Sequence, residues 1–107
     1  PVLEAAACGL PVICTEGGPT DDFVIESFAL RIKSELEESS ENGRVNRVLL
    51  IPDGGHLVTL MKEVIEDSAW RDNACISGSA FVSQKFTWEH VTRQLLNTFF
   101  QSDQEPA

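Results

Sequence analysis

No apolar run in the sequence approaches the roughly 20 residues a membrane-spanning helix needs, and no basic-then-apolar leader opens it. Basic residues are also scarce. Eight Lys and Arg stand against seventeen Asp and Glu, a formal charge of −9, and they are scattered rather than striped along one face. Such a chain repels nucleic acid phosphates and anionic membrane surfaces, so neither is an expected partner. The three cysteines, Cys8, Cys14 and Cys75, show no CxxC spacing. They are expected to be free thiols in a reducing, cytoplasmic compartment, each serving as a small core hydrophobe. The two histidines, His56 and His90, have no Cys or Asp partner at triad-like spacing and fall near helix starts. Both are expected on the surface, and no catalytic residue, metal site or cofactor is expected. Repeats and low-complexity segments are absent.

What is present has the length of one small domain, 107 residues, with 42% apolar and 23% charged residues, enough for a modest core. Its densest signals lie in the opening stretch PVLEAAACGLPVICTEGGPTDDF. Val2, Leu3, Ala6 and Ala7 have the spacing of one buried helical stripe, Gly9 is placed as a left-handed cap, and Pro11 stands just beyond. Val12-Ile13-Cys14 then reads as a strand covered on both faces in a parallel sheet, which a proline can open but not interrupt. Thr15, Glu16, Gly17 and Gly18 leave its C-terminal end, the edge where open α/β sheets bind ligands. Stop signals this dense are expected in the middle of a domain, with its first half upstream.

Further along, Ser27 to Ile32 reads as a short strand. The run from Ser34 to Glu41, rich in glutamate, reads as a solvated loop. Asn46 to Ile51, with its apolar Val48-Leu49-Leu50-Ile51, is expected to be the last strand of the sheet. Leu57, Leu60, Met61, Val64 and Ile65 predict an amphipathic helix over about 55–67. A second helix is expected over about 68–84 with Trp70, Ala74, Phe81 and Val82 on one side. A third begins at Thr87 as N-cap and carries Trp88, Val91, Leu95 and Phe99. Residues 101–107 are expected to form a polar tail. Asp21 and Asp22 are expected to cap a short helix. The fold class is therefore α/β, a few-stranded parallel sheet followed by C-terminal helices.

In this order LEAAACGLPVICTEGGPTDDFV, LLIPDGGHLVTLM and WRDNACISGSAFVSQKFTWEHVTRQLL resemble the C-terminal, nucleotide-sugar-binding domain of GT-B glycosyltransferases, specifically the retaining family 4 (glycosyltransferase group 1). The resemblance runs over residues 1–100 and is strongest from Leu3 to Gly18. It implies a partial Rossmann-like domain, the C-terminal half of that module. Its parent would transfer a sugar from a nucleotide diphosphate donor to an acceptor, with the upstream half and an N-terminal GT-B domain supplied by preceding sequence. That family carries two glutamates separated by seven residues, the second in the helix before the Cys-Gly turn, where it holds the donor ribose. Glu4 occupies that place. Without the resemblance it reads as a first-turn acid favouring the helix dipole. The resemblance further makes Gly17 and Gly18 candidates for close backbone approach to the donor, although the pair also reads as an ordinary turn, and makes Thr15 and Glu16 supporting residues. The sequence departs from the family pattern in the roughly thirty residues between Gly18 and the expected last strand. Pro52-Asp53-Gly54-Gly55 also replaces the usual Pro-Gly-Asp turn. A non-catalytic sugar-nucleotide-binding or scaffold module would keep the same elements.

Overall fold

The computed structural model describes residues 1–100, and the expected tail at 101–107 lies outside them. Helix α1 (Val2–Ala7) ends as its sequence dictates. Gly9 takes φ +79°, the Gly9 N–H donates to the Ala6 carbonyl at 3.0 Å and the Leu10 N–H to the Ala5 carbonyl at 3.0 Å. This is a Schellman cap, which satisfies two of the carbonyls a helix leaves open. Glycine is required there twice over, since a Cβ would also stand 2.6 Å from the Cys75 sulfur. The chain then reverses into β1 (Val12–Thr15), and residues 16–28 cross over to β2 (Ala29–Ile32), which pairs with β1 in parallel. Within the crossover a short 3-10 helix spans Pro19–Phe23.

The core lies between this pair, α1 and the C-terminal helix α3 (Ser68–Lys85), while α2 (Gly54–Glu66) packs on β2 and α3. Phe28 is fully buried, together with Ala6, Val12, Cys14, Val24, Ala29 and Ala74. The expected face of α3 is borne out, with Trp70, Phe81 and Val82 packing on this cluster. Gly78 on the same helix lets the chain pass closely, since a Cβ there would lie 3.2 Å from the Ala6 carbonyl and 3.3 Å from the Phe28 ring. Rings continue outward from Phe28 to Phe81 (5.4 Å between centroids), Phe86 (5.4 Å) and Phe23 (5.8 Å) in tilted or edge-on contacts, the arrangement aromatic quadrupoles favour.

Each of the three C-terminal helices starts on a side-chain cap three residues ahead of the N–H it accepts. Asp53 takes His56 N–H at 3.0 Å, Asp67 takes Trp70 N–H at 2.9 Å, and Thr87 takes His90 N–H at 3.2 Å at the head of α4 (Trp88–Phe100). Arg71 of α3 donates to the Val64 and Ile65 carbonyls at 2.6 and 2.5 Å, closing the end of α2. None of the described helices is long and apolar enough to cross a membrane.

The middle of the chain departs from expectation. Ser34 to Glu41 is not a loop but strand β3 (Ser34–Glu41), and the expected last strand, β4 (Arg44–Pro52), pairs with it antiparallel instead of joining the parallel sheet. The described residues thus hold two separate two-stranded sheets, one parallel and one antiparallel. The cause is the turn Asn42-Gly43, with φ +55° and +75°. Both central residues are left-handed, as a type I′ hairpin turn requires, and Asn-Gly is the dipeptide that adopts it most readily. Beyond it Glu41 faces Arg44 and Ser39 faces Arg47, with a bulge between Ser39 and Ser40, whereas Glu35, Glu37 and Glu38 face the apolar Ile51, Leu49 and Val48. The ribbon projects from the rest. A radius of gyration of 18.3 Å exceeds the roughly 13 Å of a compact chain this long.

Two cysteine expectations are also corrected. Cys14 is buried in β1, but Cys8 and Cys75 are exposed, because Cys8 falls just past the last residues of α1 and Cys75 stands at the rim of the core, its sulfur against the Gly9 turn. All three are free thiols.

Candidate functional site

The parallel pair organises the candidate site through where its strands end. Gly9 turns the chain back, so α1 runs over β1 and reaches the 3-10 helix that follows it. Glu4 lies in the first turn of α1. Its side chain is 87% exposed, 3.3 Å from the Pro1 amino group. Thr15 closes β1 and is half-buried. Gly17 has φ +87° and Gly18 directly precedes the 3-10 helix. Thr15, Gly17 and Gly18 therefore share the C-terminal end of β1, while Glu4 stands on the helix that packs beside it.

Asp21 holds this loop. One carboxylate oxygen accepts the Gly17 N–H at 2.8 Å, and the other lies 3.5 Å from the Arg31 guanidinium on β2. It is not the helix cap expected of it, because Gly18 holds that position without a side-chain cap and Asp21 sits inside the 3-10 helix, reaching back four residues. Asp22 is exposed within the same helix and likewise caps nothing. With its N–H engaged, Gly17 offers a ligand clearance rather than a backbone donor. That clearance is shared with the hairpin, since a Cβ on Gly17 or Gly18 would stand 3.6 or 3.3 Å from the Leu50 methyls. Ser34 Oγ also donates to the Glu16 carbonyl at 2.6 Å. The base of the hairpin therefore leans on the Gly-Gly loop, a neighbour that was not anticipated while 34–41 was read as a loop.

Sequence reasoning missed Lys33. It follows β2 as Glu16 follows β1, and the two strands run parallel, so both side chains emerge at the same edge. The only signal was positional, the first residue past a strand that was itself short and weakly marked. The histidines are not the free surface groups expected. His56 is half-buried and its Nδ1 accepts the Lys33 N–H at 2.8 Å, tying the start of α2 to the end of β2. His90, also half-buried, pairs its Nδ1 with the Thr87 hydroxyl at 2.5 Å. Both are third residues of capped helices and serve the start of the helix. Among the described residues no group of three or more His, Cys, Asp or Glu side chains is placed to hold a metal ion.

No family model matches the chain, and no solved structure matches it significantly. Over 99 residues it is 25% identical to the O-antigen chain mannosyltransferase B of Escherichia coli, an alignment that takes in 92% of this chain. It covers 21% of the relative, so the chain spans about a fifth of the length of the curated protein to which it is similar.

Proposed function

We propose that the chain is a donor-side portion of a glycosyltransferase, a partial Rossmann-like module over residues 1–100 of the GT-B, family 4 kind. With the rest of the enzyme it would take a nucleotide diphosphate sugar and transfer the sugar to an acceptor. The observation that carries this reading is the similarity to a mannosyltransferase along nearly the whole chain. Thr15, Gly17 and Gly18 following one another at the end of β1 support it, because that end is where open α/β sheets receive nucleotides. In this reading Glu4 accepts hydrogen bonds from the donor ribose hydroxyls, Gly17 and Gly18 give the donor close passage, and Thr15 steadies the loop. The remaining donor and acceptor contacts come from sequence outside this chain, and three free thiols suit a reducing, cytoplasmic setting.

Kinetics in an enzyme of the relative's size that contains this chain test the proposal. Glu4→Gln keeps the shape and loses the charge, whereas Glu4→Ala loses both. Donor KM should rise about 10- to 100-fold, more for alanine, with a smaller fall in kcat because the ribose is remote from the reacting carbon. Unchanged donor KM in Glu4→Ala would return Glu4 to the role of a first-turn acid. Donor binding without any transfer would favour the non-catalytic module.

A further inference from the structure

The two exposed cysteines, far apart in sequence, come from helices that pack on each other. Cys8 caps the end of α1, Cys75 lies within α3, and α1 lies along α3. As α1 advances from Ala6 to Gly9, α3 is met first at Gly78 and then at Cys75. At Gly9 the approach is so close that a Cβ would stand 2.6 Å from the Cys75 sulfur and 3.7 Å from its Cα. A side chain there would displace the sulfur, whereas glycine lets it rest against the turn that carries Cys8.

Bond lengths turn this contact into a bound on the two thiols. The Cys75 sulfur lies within about 4 Å of the Gly9 Cα, and the Cα of Cys8 is about 3.8 Å from that of Gly9. The Cα atoms of Cys8 and Cys75 are thus held within about 9 Å, a limit reached only if every link stood in line. A disulfide spans about 4.4–6.8 Å between Cα atoms. Cys8 is past the last helical residue of α1, where the backbone is freer to adjust than inside a helix. The third thiol, Cys14, is buried in β1 and withheld from reagents.

We infer that Cys8 and Cys75 are a covalent modification site, a pair of thiols that closes reversibly into an intrachain disulfide and clamps the end of α1 to α3. Exposure of both sulfurs gives oxidant and reductant access, and in a reducing compartment such a bond is transient and redox-sensing rather than structural. The co-reactant is a small disulfide of the glutathione class. One cysteine thiolate attacks a sulfur of that disulfide, whose S–S bond breaks, and one glutathione thiolate leaves. The other cysteine thiolate then attacks the sulfur of the first, breaking the mixed disulfide and releasing the second glutathione thiolate. The protein gives up two protons and two electrons, and the glutathione disulfide takes them to become two thiols. The new bond closes a loop that contains both sheets and α2 and pins α1, the helix of Glu4, in place. The inference goes beyond the proposed function and does not rest on it.

The test is incubation of the reduced, dilute chain with excess oxidised glutathione at about pH 8, followed by acid quenching and intact-mass measurement. Cys8→Ser, Cys75→Ser and Cys14→Ala are run beside it. The unsubstituted chain should end two hydrogens lighter, monomeric and free of glutathione, and dithiothreitol should restore it. Cys8→Ser and Cys75→Ser should each retain one glutathionyl group on the exposed cysteine that is left, while Cys14→Ala should behave as the unsubstituted chain. Hydrogen exchange of the α1 amides should slow about threefold or more in the oxidised chain. No reaction, glutathione adducts that persist on both cysteines, or bonds formed only between chains overturn the inference. An intrachain bond that survives Cys8→Ser also overturns it, since Cys14 would then be the partner. Unchanged exchange in α1 after oxidation overturns the clamp.

Discussion

The chain contains two regions built with equal local care and covered very differently. In the first, α1, β1, β2 and α3 close over Phe28, and a Schellman cap, a parallel register and two glycines allow elements to approach within van der Waals contact. In the second, the hairpin and α4 have an Asn-Gly turn, a cross-strand register with one bulge and a threonine cap, yet apart from Leu50 most of their apolar residues face outward. Leu36 is 69% exposed, Trp88 87% and Phe100 76%. The turn and cap of the second region satisfy backbone groups as fully as those of the first. Local signals therefore specify an element without specifying its burial. Burial depends on whether another surface lies within reach, and an isolated two-stranded ribbon has too little of its own.

The sharpest way to break this contrast is at its centre. Phe28→Ala deletes the one large side chain that is fully buried among the described residues and leaves a cavity between Ala6, Gly78 and Phe81. Such truncations cost about 3–5 kcal/mol, a large share of the stability of any small domain. Denaturant unfolding should show the midpoint collapse, with the Phe81–Phe86–Phe23 series losing its anchor. A loss below about 1 kcal/mol would mean that the first region is no better packed than the second.

A pair of glycines sharpens the comparison. Gly9 and Gly43 share nearly the same backbone, φ +79° and +75°, but a Cβ on Gly9 meets the Cys75 sulfur at 2.6 Å whereas one on Gly43 meets nothing within 4 Å. Placing alanine in the left-handed region costs about 1–2 kcal/mol at either site. Gly9→Ala should cost more by the clash, and Cys75→Ala should recover that excess and nothing else. Gly43→Ala should stay at the backbone cost and be blind to Cys75→Ala. Melting of the four variants reads this directly, and equal losses at the two glycines would erase the distinction between regions.

The same contrast explains which parts of the molecule were legible in the sequence. α1, β1 and the three C-terminal helices were readable because each carries its own stop signal, such as Gly9 and Pro11, or its own apolar period, such as Leu57, Leu60 and Val64. The hairpin was not, although Asn42-Gly43 was in view. Four glutamates among eight residues of β3 gave an acid composition that reads as solvated loop, and the pairing that makes it a strand comes from β4. The exposure of α4 was equally hidden, since an amphipathic stripe looks the same whether or not it is met. Of the candidate site, Thr15, Gly17 and Gly18 could be placed at a strand end from their order along the chain, whereas Glu4 was singled out only by the family resemblance. Lys33, the engagement of Gly17 by Asp21 and the contact of Leu50 with the loop depend on residues brought together from separate elements, which spacing along one chain does not encode.

The smallest effect is expected on α4, and it tests the other pole of the comparison. Leu95 lies in the middle of the apolar stripe and is 56% exposed. If the stripe is uncovered in solution, Leu95→Ala removes side-chain area that stays largely in contact with water in the folded state. The substitution is also nearly neutral for the helix itself, alanine being the best helix former and leucine close behind. Stability should change by less than about 0.5 kcal/mol, as at other exposed positions. Buried leucines lose about 2–5 kcal/mol on the same truncation, so the two cases are well separated. Equilibrium unfolding at two protein concentrations decides between them. A loss above about 2 kcal/mol at both concentrations would mean that the stripe packs within the chain; one that appears only at the higher concentration would mean that a second copy covers it.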